Sequence, residues 1–255
     1  MEFTGEIAQI QQRLAATRAL DERRKAVLDA LAPHRGARVL EVGCGAGLLL
    51  REIGLAVGPH GLAAGVDISP DQIWAATRAC EEVPAVQPEI GDMRALRWQD
   101  DVFDAAVAVQ TLEYVEEAEA ALAELARVLK PGGRLLCLAT NWHSAFWHGA
   151  PAALTAEITS AWDNHAAHPN LPARLPPMMA RAGVRAIAQI PVPVVDPDLH
   201  AESFAYWTAR LMAAHARDEG VPPDRATRWL AELDRAEAEG EFFFSMVPIL
   251  TEGTA

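Results

Sequence analysis

Between Arg38 and Leu50 the chain reads RVLEVGCGAGLLL. A short apolar run is cut by three glycines in five positions, Gly43, Gly45 and Gly47, and is followed by helix-forming leucines. Such a stretch predicts a strand, a tight turn and the start of a helix, with bare backbone where the turn is closest to something else. The segment after it repeats the pattern. GLAAGVD ends a second apolar run at Asp67, and SPDQIWAATRACEEV (69–83) predicts a helix with Ser69 as N-cap and Pro70 in its first position.

The alternation continues. VQPEIGD (86–92) predicts a weaker strand, VFDAAVAVQ (102–110) a strong one, VEEAEAALAELARVLKPGG (115–133) a helix stopped by Pro-Gly-Gly, and RLLCLAT (134–140) another strand. Strands that are apolar throughout and separated by helices require a parallel sheet covered on both faces. We therefore expect an α/β, doubly wound, mostly parallel sheet of about seven strands in a single domain spanning residues 1–255. Residues 1–34 would form an N-terminal helical cap, with apolar positions at helical spacing over 6–32. Residues 35–140 would be the core and 141–255 a substrate-side half. In that half we expect a helix over 152–170, a short helix in LPARLPPMMARAGV, a strand AIAQIPVPVV (186–195), a helical lid insertion over 198–240 split at EGVPPD, and a closing strand EFFFSMVPIL (241–250) with Phe242, Phe243 and Phe244 in the core.

In an open parallel sheet a ligand crevice lies beyond the carboxyl ends of the strands, where their order reverses. The glycine loop and Asp67 occupy two such strand ends, and a carboxylate at the second tip can accept both hydroxyls of a ribose. The alternatives are that the glycines only permit the turn and that Asp67 only caps the helix at Ser69. The spacing Gly43, Gly45, Gly47 departs from the G-x-G-x-x-G of dinucleotide sites, and no Tyr-x-x-x-Lys pair is present, which disfavours a nicotinamide oxidoreductase. A third acidic position, Asp92 in GDMRAL, is followed by apolar Met93; the pair suits an adenine amino group and ring face.

Five segments in order, VLEVGCGAG, GVDIS, GDMRAL, FDAAVAVQTLEYV and RVLKPGGRLL, resemble class I S-adenosylmethionine-dependent methyltransferases, in particular the small-molecule branch similar to ubiquinone/menaquinone-biosynthesis methyltransferases. The resemblance covers about residues 35–140. It implies that Glu41, Gly43, Cys44 and Gly45 line the methionine side of S-adenosylmethionine, Asp67 holds the ribose, Ile68 and Met93 flank the adenine, Asp92 meets its N6, and Gln110 lies under the cofactor. It also implies an antiparallel last strand, S-adenosylhomocysteine as product, and methyl transfer to an oxygen, nitrogen or carbon of a small-molecule acceptor, as in specialised metabolite biosynthesis. A histidine frequent in the family's segment after the fourth strand is Tyr114 here, so no catalysis is assigned there. A non-methylating reaction of the same cofactor (cyclisation or rearrangement) and a non-catalytic cofactor-binding module remain alternatives.

Methyl transfer rests on in-line positioning and desolvation, and a base helps only where the acceptor must lose a proton. His143 and His148, in NWHSAFWHG just past the fifth strand, are the candidate bases. Trp142, Trp147, Tyr206 and Trp207 are candidates for an aromatic acceptor wall, with Trp162 as a further tryptophan of this region. His165 and His168 have the spacing of a metal pair, but no cysteine or carboxylate cluster completes a site, and no metal is expected.

A formal charge of −13 repels phosphate backbones, so no nucleic-acid partner is expected. The one basic run, DERRKAV at 21–27, reads as a solvated salt-bridging helix face. Cys44, Cys80 and Cys137 are odd in number and far apart, which suits a reducing compartment. The opening MEFTGEIAQIQQRL lacks a basic flank and an apolar core, and no run approaches the roughly 18 apolar residues of a membrane span, so a cytoplasmic monomer or homodimer without membrane attachment is expected.

Overall fold

The computed structural model describes residues 10 and 13–255. They fall into two compact units. The larger holds Lys25–Thr140, Asn170–Pro191 and Ile249–Ala255; the smaller holds the described residues up to Arg24, together with Asn141–Pro169 and Val192–Pro248.

The larger unit is built on a seven-stranded sheet in the order β3-β2-β1-β4-β5-β10-β7. Its strands are β1 (Arg38–Val42), β2 (Leu62–Asp67), β3 (Val86–Ile90), β4 (Phe103–Val109), β5 (Leu129–Thr140), β7 (Arg185–Pro191) and β10 (Pro248–Thr254). β1 pairs in parallel with β2 on one side and β4 on the other, so the strand order reverses between β1 and β4. β10 runs antiparallel to β7, as the family resemblance implies. β3 is the edge strand and the least buried of the first five; Pro88, which has no N–H, is tolerated there. Helices α2 (Leu48–Val57), α3 (Pro70–Ala79), α4 (Ala118–Val128) and α6 (Leu175–Arg181) connect the strands. Ser69 caps α3 by accepting from the Gln72 N–H. Leu40, Val42, Phe103, Ala106, Leu122, Leu125 and Leu135 form the core against the helical faces.

The helix expected to run to residue 133 stops at Val128. The chain is already strand at Leu129, which pairs with Phe103, and the register then slips before Ala105 meets Arg134. Pro131 explains this: it cannot donate to a helix and pushes Lys130 towards extended backbone, while Leu129 is pinned in the core.

The smaller unit contains a three-stranded antiparallel sheet, β6-β9-β8, which the sequence pattern did not reveal. Its strands are β6 (Phe146–His148), β8 (Val194–Asp196) and β9 (Phe243–Met246). Two runs expected as single strands each divide. AIAQIPVPVV breaks at Val192 and Pro193 into β7 and β8, and EFFFSMVPIL breaks at Val247 into β9 and β10. Prolines 191, 193 and 248 supply the breaks, since each removes a ladder donor. Phe242 and Phe244 are buried as expected, whereas Phe243 is only half-buried, on a strand with one covered face.

Helices α5 (Ala152–Trp162), α7 (Phe204–Asp218) and α8 (Pro223–Glu239) complete this unit. α5 is shorter than the expected 152–170; the chain continues as a single 3₁₀ turn at Asp163–His165. α7 and α8 fall where the lid helices were expected, with Ser203 capping α7 and Gly240 ending α8. They are centred on their own core: Phe204, Ala205, Ala209, Met212, Trp229 and Leu233 are all buried in it.

Helix α1 (Arg18–Leu31) carries the basic run. Arg24 pairs with Asp21 at 3.1 Å and Arg18 with Glu22 at 2.6 Å, the salt-bridging face that was expected. Arg23 departs from it and is buried. Residues 1–9, 11 and 12 of the expected helical cap lie outside the described residues. All three cysteines are buried free thiols. Among the described residues no helix is long and apolar enough to cross a membrane.

Candidate functional site

The carboxyl ends of β1, β2 and β4, where a crevice is expected, adjoin one another in the larger unit. β1 delivers Glu41 and Val42 and then enters the glycine turn. The N–H groups of Gly43 and Cys44 both donate to the Val66 carbonyl of β2, at 2.6 and 3.1 Å, so the turn is stitched to the neighbouring strand before the helix begins.

The three glycines are bare for different reasons. A β-carbon on Gly43 would lie 2.7 Å from the Thr111 Cβ and closer still to its Cγ2 and Oγ1; on Gly47 it would meet the Ala76 Cβ of α3 at 2.9 Å. Both therefore make room for the protein's own side chains. On Gly45 a β-carbon would make only an ordinary contact, with the Gln72 Oε1 at 3.8 Å, and the φ of +52° suits glycine. Gly43 and Gly47 thus set the turn against the protein's own side chains, and Gly45 is the least crowded of the three.

Asp67 is held at the tip of β2 by two backbone donors, Gly45 N–H to Oδ2 and Ser69 N–H to Oδ1, both at 2.9 Å. Its carboxylate therefore ties the glycine turn to the start of α3 and keeps lone pairs for a further donor. Ile68, immediately after it, is 73% exposed, an unusual position for an isoleucine. Because Asp67 is in register with Ile90, and Gly91 N–H donates to the Asp67 carbonyl at 3.0 Å, the segment carrying Asp92 and Met93 leaves the sheet beside Ile68.

Glu41 is the electrostatic centre. It is 4% exposed, and its Oε2 has no hydrogen-bond partner among the described residues. Burial, then repulsion from Asp67 and Glu52, hold its carboxyl well above the usual carboxylate range. A buried carboxylate without a partner is costly, and a cation arriving beside it would remove that cost. Cys44 is buried, and burial first, then Glu41 and Asp67, push its thiol up, so it is an inert wall and no nucleophile.

At the end of β4, Gln110 adopts φ +48°, a left-handed conformation uncommon for non-glycine residues that Ala32, Asp101 and Ala186 also take. Its side chain donates to the Thr140 Oγ1 at 2.6 Å, linking the ends of β4 and β5. Asp92 is more occupied than expected. Arg94 donates to it from its backbone N–H (2.8 Å) and from Nε and Nη2, filling both oxygens, and Arg94 also holds Glu117 at 2.5 Å. These bonds keep the Asp92 carboxyl below its usual range, and a ligand amino group would have to displace one of them. Arg94, Thr111 and Thr140 were missed in the sequence. Only Arg94, two residues beyond an aspartate in the manner of an Asx turn, left a local signal.

The acceptor candidates lie in the smaller unit and are not alike. Trp147 is buried in its core, with ring centroids 5.2 Å from Trp229 and 4.3 Å from Phe244; it is a packing residue, because β6 turns it inward against β9. His148, next along β6, is exposed and pairs in register with Phe243. Tyr206 and Trp207 meet edge to face at 5.0 Å, with Arg210 stacked on Tyr206 and the Trp207 indole donating to the Ala201 carbonyl. Trp142 and His143 instead line a cleft of about 260 Å³ together with Thr159, Trp162, Asp163 and Met212. There the His143 Nε2 lies 3.2 Å from the Asp163 Oδ1, a partner the sequence did not suggest. His165 packs behind Trp162 at 4.0 Å, stacked, and its Nδ1 meets the Trp162 carbonyl. No cluster of metal-ligating side chains occurs among the described residues.

Comparison with known proteins agrees with this geometry. Residues 40–137, from within β1 to within β5, match the family described as "Methyltransferase domain". An uncharacterised 37.1 kDa protein of a Streptomyces fradiae transposon is 38% identical over 139 residues, 54% of this chain and 40% of that protein. A demethylmenaquinone methyltransferase of Staphylococcus aureus is 33% identical over 118 residues, 46% of this chain and 49% of that one. The chain thus spans half or less of the length of these curated relatives. Among solved structures, the YcgJ protein of Bacillus subtilis superposes with a TM-score of 0.60 at 21% identity, over 91% of this chain and 97% of that one, and shares the fold. Residues 40–137 thus resemble a methyltransferase domain, and the sheet order and the glycine turn with Asp67 at the next strand's tip agree with that likeness.

Proposed function

We propose that the crevice above β1, β2 and β4 binds S-adenosylmethionine, and that the chain transfers its methyl group to an oxygen, nitrogen or carbon of a small organic molecule. The observation that carries the reading is Glu41, buried with its Oε2 unpartnered among the described residues, two positions before the glycine turn in which Gly45 is the least crowded of the three glycines. A dinucleotide would bring a pyrophosphate to this place, and the acidic set Glu41, Asp67 and Asp92 would repel it. A sulfonium cofactor bearing an amino group supplies cations instead.

In this reading Glu41 pairs with the cofactor's positive methionyl end, Gly45 lets it lie on bare backbone, and Asp67, already oriented by two N–H donors, accepts the ribose hydroxyls. Ile68 and Met93 flank the adenine, with Asp92 near its amino group once one Arg94 bond has given way. When bound, the cofactor supplies a methyl already activated by positive sulfur, so the protein's part is to position the acceptor and exclude water. Where an acceptor must lose a proton, His143 is the better base, since Asp163 orients its ring; His148 has no such partner among the described hydrogen bonds.

Titration of the purified chain with S-adenosylhomocysteine by calorimetry tests the cofactor site. Because the cofactor's cation stabilises the ionised form of Glu41, affinity should fall as the pH is lowered, with proton release on binding. Glu41→Gln should abolish the proton release and weaken binding while leaving the fold at least as stable, since an unpartnered buried acid is removed. Binding by Glu41→Gln with unchanged affinity and pH dependence would refute the assignment.

A further inference from the structure

The smaller unit holds a cleft lined by His143, the base named above, whose tryptophan walls and carboxylate that reading leaves without a ligand. We infer that this cleft, walled by Trp142 and Trp162 and closed by Met212, is a binding site for a small planar aromatic molecule carrying a protonated amine, with the Asp163 carboxylate as its anchor.

The walls come first. The Trp142 and Trp162 rings meet edge to face, with centroids 5.2 Å apart and planes at 74°, so two indoles border the cleft at a fixed angle. Trp162 is locked in turn by the stacked His165 behind it and by His215, edge-on at 5.4 Å. An aromatic guest is favoured against such rings by area and by quadrupole, and a cation beside them is favoured further. Met212 is buried and adds a polarisable thioether surface that adapts to the shape of its guest. A volume of about 260 Å³ is just below the roughly 300 Å³ at which ligand pockets begin and suits a molecule of one or two rings.

Charge then selects among such molecules. Of the lining residues, Asp163 is the one acidic side chain, and no arginine or lysine is among them. His143, at 3.2 Å from the Asp163 Oδ1, is the one protein group hydrogen-bonded to that carboxylate among the described residues, so Oδ2 keeps its capacity to accept. A ligand with a carboxylate or phosphate would meet like charge and no compensating cation. An ammonium would find both a carboxylate and indole faces.

Three indoles that share one ring and differ in charge make the test: tryptamine (cationic), indole (neutral) and indole-3-acetate (anionic), each titrated into the full chain without cofactor. Binding is read from the indole N–H signals of Trp142 and Trp162 in heteronuclear NMR. Tryptamine should bind about tenfold more tightly than indole-3-acetate, with indole between them, from a single charge pair near the surface. Asp163→Asn should remove the preference while retaining the ring contribution. Ala156→Trp, made at an exposed position of α5 on the rim, should block all three probes without lowering the melting temperature. Equal or tighter binding of indole-3-acetate, shifts confined to other tryptophans, charge preference unchanged in Asp163→Asn, or no binding of any probe at millimolar concentration would overturn the inference. Because no cofactor is present, these outcomes are separate from those of the Glu41 experiment.

Discussion

Gly43 and Gly45 are two residues apart in one turn, yet alanine should fail at them for opposite reasons. At Gly43, φ +65° places an L-residue in the left-handed region, which costs about 1–2 kcal/mol. The new β-carbon must also share space with the side chain of Thr111, whose Cβ would be 2.7 Å away, an overpacking cost of about 1–3 kcal/mol. The sum is about 2–5 kcal/mol. At Gly45 the backbone cost is similar, but the β-carbon makes only an ordinary contact, so the loss of stability should stay near about 1–2 kcal/mol. Urea unfolding of the two variants, with Thr111→Ala in each background, isolates the contact. Gly43 and Thr111 should couple by roughly 1 kcal/mol or more, and Gly45 and Thr111 by nothing measurable. Calorimetry with S-adenosylhomocysteine should show the reverse ranking, Gly45→Ala losing affinity although it remains folded. If Gly43→Ala is no less stable than Gly45→Ala, or if Gly45→Ala binds like the parent, the division of labour proposed for the turn is wrong.

Two further outcomes follow from the same geometry. Asp67→Ala should weaken cofactor binding about tenfold or more, because it removes the ribose acceptor and releases the Gly45 N–H; calorimetry that finds affinity intact would refute the ribose role. In the smaller unit, burial lowers His165 from its ordinary 6.5 to about 4. The unfolded chain therefore takes up this proton first, so its contribution to stability is complete above pH 6.5 and is lost as the pH falls towards 4, by about 3 kcal/mol in all. Replacing His165 by phenylalanine, which can keep the stack on Trp162, should flatten the pH dependence of urea unfolding in that window; identical slopes in both proteins would exclude His165 as its source.

The order of strands and helices from Arg38 to Thr140 was legible because each apolar run is long, continuous and bounded by glycine, proline or a capping residue. Ser69-Pro70 and Asp67 at a strand's end carry their meaning locally, and so did the glycine turn's position. The errors share a cause. Leu129 is strand rather than helix because Phe103, 26 positions earlier, pairs with it. The runs at 186–195 and 241–250 divide because their halves pair in different sheets, a choice made by partners distant in sequence. Trp142 and Trp147 have the same composition around them, yet one borders a cleft and the other is core, since the direction of a side chain on β6 depends on β9.

By itself the sequence determined the parallel α/β core, the place of the glycine turn and the acidic residues at three strand ends, because these depend on periodicity, backbone freedom and turn chemistry within a few residues. Tertiary structure alone decided that Thr111 and Ala76 claim the space beside Gly43 and Gly47, that buried Glu41 keeps an Oε2 unpartnered among the described residues, that Arg94 fills Asp92, and that Asp163 stands beside His143. Burial and the pairing of charges are properties of the folded surroundings, assembled from segments as far apart as Gly43 and Thr111, and no local pattern encodes them.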